Sequence, residues 1–174
     1  PDEVAQLFVR EIEESVEGTG IRAGIIKVAS NDRVEDGLTA PAEIVLRAAA
    51  RASKHTGVPI TTHTSGPGRT GDLQVEVFKS EGVDLSRVNI GHSNQTTNLD
   101  YLLGLLKDGV WLGLDVYPGS PPPESLDWEQ RTKLAGQLIE AGYGHRIMLS
   151  HDWCVIKPWG SRAAQKEKQL SNPD

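Results

Sequence analysis

Five residues with reactive side chains, Lys27, His63, His92, Asp115 and Asp152, are spaced along the chain at intervals of 36, 29, 23 and 37 residues. Two imidazoles with carboxylates and an amine make a mixed nitrogen and oxygen donor set, which suits zinc or a similar divalent ion. Either histidine alone reads as a hydrogen-bonded structural residue, the commonest role for such a side chain. The pair, on one rim with a carboxylate and a lysine, turns the reading toward metal chemistry. His55 and His145 fall on a helix end and in a turn and lack that company. Asp115 by itself fits a helix cap or a loop anchor equally well. Cys154 has no cation beside it in sequence and reads as a packed thiol.

These five residues need elements that bring them to one place. Val4, Leu7, Phe8, Ile12 and Val16 recur at helical spacing, and "IRAGIIKVA" (21–29) is short, apolar and rich in β-branched residues. The pattern is helix, then strand. Pro41 opens a second helix that Gly57 closes, and "VPITTHT" follows as the second strand. The cycle repeats three more times. Helices near 71–81, 98–107 and 128–141 lead to "RVNIGHS", "GVWLGLDV" and "HRIMLSHDW". Helices alternating with single buried strands imply a parallel sheet, either open and doubly wound or closed as a (β/α)8 barrel. Each of the five residues falls near the C-terminal end of a different strand, which favours the barrel, where such ends converge on one mouth. An open sheet would gather its chemistry at a single switch point.

The spacing averages about 31 residues per unit, and eight such units need roughly 250 residues. The chain has 174. We therefore expect one partial barrel domain over residues 1–174, with about five βα units and the remainder supplied by a longer parent.

Composition removes other classes of function. With 18 basic and 24 acidic residues the net charge is −6, and no basic cluster exists to gather a phosphate backbone, so no nucleic-acid partner is expected. No apolar run approaches the roughly 20 residues that span a bilayer, so no membrane partner is expected either. The acidic amphipathic start does not read as a signal sequence. A single cysteine excludes an internal disulfide framework, and a reducing, cytoplasmic setting fits best. "GPGRTG" (66–71) matches the dinucleotide-binding pattern, but Pro67 removes a backbone donor and the next strand ends in His92 instead of a ribose-binding acid. An active-site loop is the better reading.

"GIIKVAS", "TGVPITTHT", "VNIGHS", "WLGLDVY" and "IMLSHDW", in this order and spacing, resemble the phosphotriesterase family of the amidohydrolase superfamily. "SHDWC" followed by "WG" is similar to its lactonase-like branch in particular. The resemblance implies strands four to eight of the family barrel and a site with two divalent metal ions, commonly zinc. It implies that Lys27 carries a carbamate derived from carbon dioxide and bridges both ions. Burial of Lys27 in an apolar strand would supply the neutral amine that this reaction needs, and two nearby cations would favour the anionic product. His63 and His92 would bind the more exposed ion. Asp152 would bind the other and move the proton in metal-assisted hydrolysis.

The substrate implied is a small ester: a lactone, a carboxyl ester or a phosphotriester. Asp115, Tyr117 and Trp153 are expected to touch it, with the proline-rich stretch 117–128 and Trp159 forming a wall. The family's first strand carries a His-x-His pair that this sequence lacks, so the chain alone is expected to be inactive. In place of a basic residue after Gly-Leu-Asp stands Val116, and "NQTTN" follows "GHS" where acidic residues are common. Those changes remove a proposed proton relay and argue against fast organophosphate hydrolysis. A homodimer of the full-length parent is compatible with the resemblance. The alternative is a barrel segment with a purely structural or binding role.

Overall fold

The computed structural model describes residues 1–118 and 126–152. In chain order the elements are α1 (Asp2–Glu13), β1 (Ile26–Ala29), α2 (Ala40–Thr56), β2 (Ile60–His63), α3 (Thr70–Ser80), β3 (Val88–Ile90), α4 (Leu99–Asp108), β4 (Trp111–Leu114), α5 (Trp128–Glu140) and β5 (Ile147–Leu149). The five strands are parallel and lie in the order β1-β2-β3-β4-β5. A doubly wound sheet reverses its strand order at a switch point. This one does not. Connections of a single hand then place every helix on one face of the sheet, as in a barrel. The architecture is a run of five successive units of a (β/α)8 barrel.

Local chemistry sets the element ends. Gly57 ends α2 in the left-handed conformation (φ 75°), which lets its N–H reach the Ser53 carbonyl. The Asn98 side chain caps α4 by accepting from Tyr101 N–H, and Asp127 and Gln130 form a reciprocal capping box on α5. The strands are shorter than the apolar runs suggest. Ile26 N–H is held by the Pro59 carbonyl, and Pro59 has no N–H with which to extend the ladder backward.

The core lies between the helices and the sheet. Ile26, Val28, Ile60, Val88, Ile90, Leu112 and Leu114 point from the strands toward Leu46, Phe78, Leu102, Leu105, Leu134 and Leu138 on the helices. Ala48, Ala49, Ala50 and Ala52 make α2 thin where it is buried. On the surface of that layer Glu81 accepts from Arg47 and Arg51, and Arg51 also reaches Asp2, so one carboxylate ties α3 to α2 and thence to α1. Its two guanidinium partners, Arg51 foremost, hold Glu81 down to about 2. Among the described residues no helix is long and apolar enough to cross a membrane.

The glycine-rich stretch 66–71 uses its own donors. Gly68 N–H goes to Ser65 Oγ, Arg69 N–H to the Gly66 carbonyl, Thr70 N–H to the Ser65 carbonyl and Gly71 N–H to the Tyr101 hydroxyl. A phosphate would find none of those four free. Gly71 is there for packing, since a Cβ would stand 2.5 Å from Tyr101 Oη.

Candidate metal centre

His63 is the last residue of β2. Its carbonyl receives Ser30 N–H at 3.2 Å and Gln74 Nε2–H at 3.0 Å, which fixes its main chain from β1 and from the buried face of α3. Its ring Nε2 lies 2.9 Å from Asn31 Oδ1. His92 lies two residues past β3 in the left-handed conformation, φ 56°, and its ring meets His63 at the end of β2. Gly91 makes that close approach feasible, because a Cβ there would lie 2.2 Å from the Thr62 carbonyl oxygen. Asp115, just past β4, accepts both His92 backbone N–H and His92 Nδ1–H on Oδ1, each at 2.8 Å.

The inner nitrogens of the two rings, His63 Nδ1 and His92 Nε2, meet at 2.7 Å, with the rings edge to face at 86°. A neutral imidazole carries one N–H and one lone pair. Asp115, a carboxylate that can only accept, holds the proton of His92 on Nδ1 and leaves a lone pair on Nε2; His63 either donates Nδ1–H to that lone pair or, with its proton on Nε2 toward Asn31, presents a second lone pair. In the second arrangement the two lone pairs converge on a place for a cation, a shared proton or a metal ion. His63 is pushed below the ordinary histidine range, first by burial and then by His92 and Lys27, against the opposing pull of Asp152 and Asp115. The neutral, metal-binding form is thereby favoured.

The remaining candidates are placed differently from one another. Lys27 lies inside β1, in register with Thr61, while His63 pairs with Ala29; it sits one layer below the rim, not at the strand end. It is also exposed, which corrects the expectation of a buried amine. Burial alternates along β1, so Ile26 and Val28 face the helices and Lys27 faces the opposite, uncovered side of the sheet. Asp152 (φ 49°) stands with Oδ2 4.0 Å from His92 Nε2, near the imidazole pair but exposed. Asp115, expected at the substrate, has its Oδ1 taken up by His92. Tyr117 is half-buried, packs against the core and donates its N–H to the Ser150 carbonyl. Trp153, Cys154, Trp159 and residues 119–125 of the expected wall lie outside the described residues.

Among the described residues no group of three His, Cys, Asp or Glu side chains is gathered closely enough to hold an ion. The two imidazole nitrogens fit one as a converging pair, and further donors must approach them. Two supporting residues had no signature in the sequence. Asn31 reads as one polar residue in a polar loop, and Arg131 as one charge on an amphipathic helix. In the fold Arg131 is fully buried and donates to the Asn94 and Leu126 carbonyls, while Asn94 Oδ1 accepts Val116 N–H at 3.2 Å. That bridge ties the turn after His92 to the end of β4.

The model of the phosphotriesterase family matches residues 1–172. The chain belongs to the phosphotriesterase family. Among its relatives in that family, a protein of Saccharolobus solfataricus named aryldialkylphosphatase is 39% identical over 170 residues, covering 98% of this chain and 52% of the relative. A phosphotriesterase homology protein of Mycobacterium tuberculosis is 42% identical over 157 residues, covering 88% and 45% respectively. An N-acetyltaurine hydrolase of Dictyostelium discoideum is 33% identical over 154 residues, covering 83% and 40%. The chain thus spans about half the length of the curated relatives it matches.

Proposed function

We propose that the protein carrying this chain is a metal-dependent hydrolase of ester bonds, with a lactone, a carboxyl ester or a phosphotriester as substrate. The observation that carries the reading is the convergence of His63 Nδ1 and His92 Nε2, with both outer nitrogens held by acceptors. His63 and His92 would hold one divalent ion; Lys27 as a carbamate and Asp152 would contribute to the pair. Bound there, such ions supply Lewis acidity and a water of lowered pKa.

The chain's own residues do the rest. Asp115 orients His92 through two hydrogen bonds, and Asn31 orients His63. Asp152, exposed at the mouth, can accept a proton from attacking water and deliver it to the leaving group. Lys27, facing the same side of the sheet from one layer below, is accessible to carbon dioxide.

Relatives named aryldialkylphosphatase and N-acetyltaurine hydrolase support the hydrolase class. The second of these names brings amide bonds into consideration as an alternative substrate class. The test uses the full-length protein produced with zinc or cobalt and assayed on lactones, aryl esters, phosphotriesters and N-acyl amides. We expect about two ions per chain, hydrolysis of at least one ester class, and loss of both on Lys27→Ala. A full-length protein that binds no metal would leave the structural reading of this barrel segment in its place.

A further inference from the structure

We infer that Asn31 is a positioning residue that fixes the tautomer and ring orientation of His63, presenting its Nδ1 as a lone pair toward His92. The consequence for metal binding rests on the reading above; the tautomer itself does not.

Asn31 Oδ1 is 2.9 Å from His63 Nε2, and an amide oxygen can only accept, so this contact favours the proton on Nε2 over its placement on Nδ1 toward His92. The Asn31 side chain is exposed, and an exposed hydrogen bond of this kind competes with water. Its flanks compensate. Ser30, buried, hydrogen-bonds the Asp32 carboxylate through its hydroxyl, and its own N–H is held by the His63 carbonyl. Asp32 Oδ1 accepts Thr39 N–H at 3.2 Å, and the Asp32 carbonyl accepts the Thr70 hydroxyl. Val34 N–H reaches the Gly68 carbonyl, tying the loop after β1 to the loop after β2. Asn31 is therefore the middle residue of a segment pinned on both sides, so its main chain is already fixed where the side chain meets the ring.

The two imidazoles are supported unequally. His92 has a carboxylate behind it and His63 a neutral amide, and a charged acceptor raises the basicity of the opposite ring nitrogen more than a neutral one does. His63 is thus the weaker donor of the pair. A neutral residue at this position also adds no further anion beside Asp32.

The test is made on the full-length protein. In the metal-free wild type, nitrogen-15 NMR of the histidine rings is expected to show His63 with its proton on Nε2, and Asn31→Ala to give a mixture of tautomers. Cobalt affinity, read by chelator competition, is expected to fall about 10-fold in Asn31→Ala, the low end of the range for outer partners of metal ligands. Asn31→Asp, which keeps the acceptor and adds charge, is expected to retain or exceed wild-type affinity. Unfolding midpoints of both variants control for damage to the loop. A wild-type His63 protonated on Nδ1 overturns the inference, as does Asn31→Ala with unaltered tautomer and affinity. A wild type that shows the Nε2–H tautomer yet binds no cobalt sustains the placement of Asn31 and refutes the metal reading instead.

Discussion

Replacing Asp115 by Asn keeps the shape of the side chain and removes its charge. Asp115 Oδ1 accepts two hydrogen bonds from one residue, His92, both at 2.8 Å. Hydrogen bonds to a charged group are worth about 1.5–3 kcal/mol net, and neutral ones about 0.5–1.5 kcal/mol. Changing the acceptor to an amide oxygen should therefore weaken each bond by about 1 kcal/mol, or about 2 kcal/mol for the pair. Part of that loss falls on the backbone bond that fixes the turn, and part on the ring bond that makes Nε2 basic. The metal affinity of full-length Asp115→Asn should then fall about 10- to 30-fold, since about 1.4 kcal/mol is a tenfold change. The assay is zinc or cobalt titration against a chelator, with urea unfolding to apportion the loss to stability. Asp115→Ala, which leaves two donors of His92 without a partner, should cost more than Asp115→Asn in both measurements. Unchanged metal affinity in Asp115→Asn, together with a raised KM, would refute this account and return Asp115 to the substrate-contact role its sequence position suggests.

The neighbouring backbone gives a second prediction. Gly91→Ala places a Cβ 2.2 Å from the Thr62 carbonyl oxygen, so β2 and β3 must part or the turn must move. Denaturant unfolding should show a loss of about 3 kcal/mol, and the Thr64 hydroxyl bond to the Gly91 carbonyl, 2.7 Å long, should be disrupted with it. Glu81 gives a pH dependence. Its folded pKa, about 2, lies below the ordinary value of 4.5, so its contribution to stability is present above pH 4.5 and is lost as pH falls through 2. Glu81→Gln should lower the unfolding free energy at pH 7 by about 1 kcal/mol once solvent around its arginines is discounted, and the gap between wild type and variant should close in acid. A gap that stays constant from pH 7 to pH 2 would show that the arginine contacts do not set the difference.

The helix-strand alternation was legible because each unit buries one apolar face, and burial imposes a period on the sequence. His63 and His92 could be found for the same reason, each standing at the edge of such a run. Lys27 was found at the right strand and the wrong depth: a run of Ile25, Ile26 and Val28 does not reveal which face of the sheet is covered, and the lysine takes the open one. Asp115 could be singled out at its strand end, but its partner could not. His92 lies 23 residues away in sequence and is brought to it by strand pairing and a positive φ, neither of which has a local signature. Asn31 and Arg131 escaped because their significance is entirely tertiary. The "GPGRTG" loop shows the converse case, in which a local pattern is present and its donors are already engaged.

His63 and His92 are delivered by adjacent strands, whose separation of about 4.8 Å is dictated by backbone geometry common to all sheets. The spacing of the two residues is consequently inherited from the scaffold, and the rim residues Asn31 and Asp115 are left to set only how each ring is turned. If the proposed ion sits between these rings, loops that carry neither Asn31 nor Asp115 are free to change with the substrate.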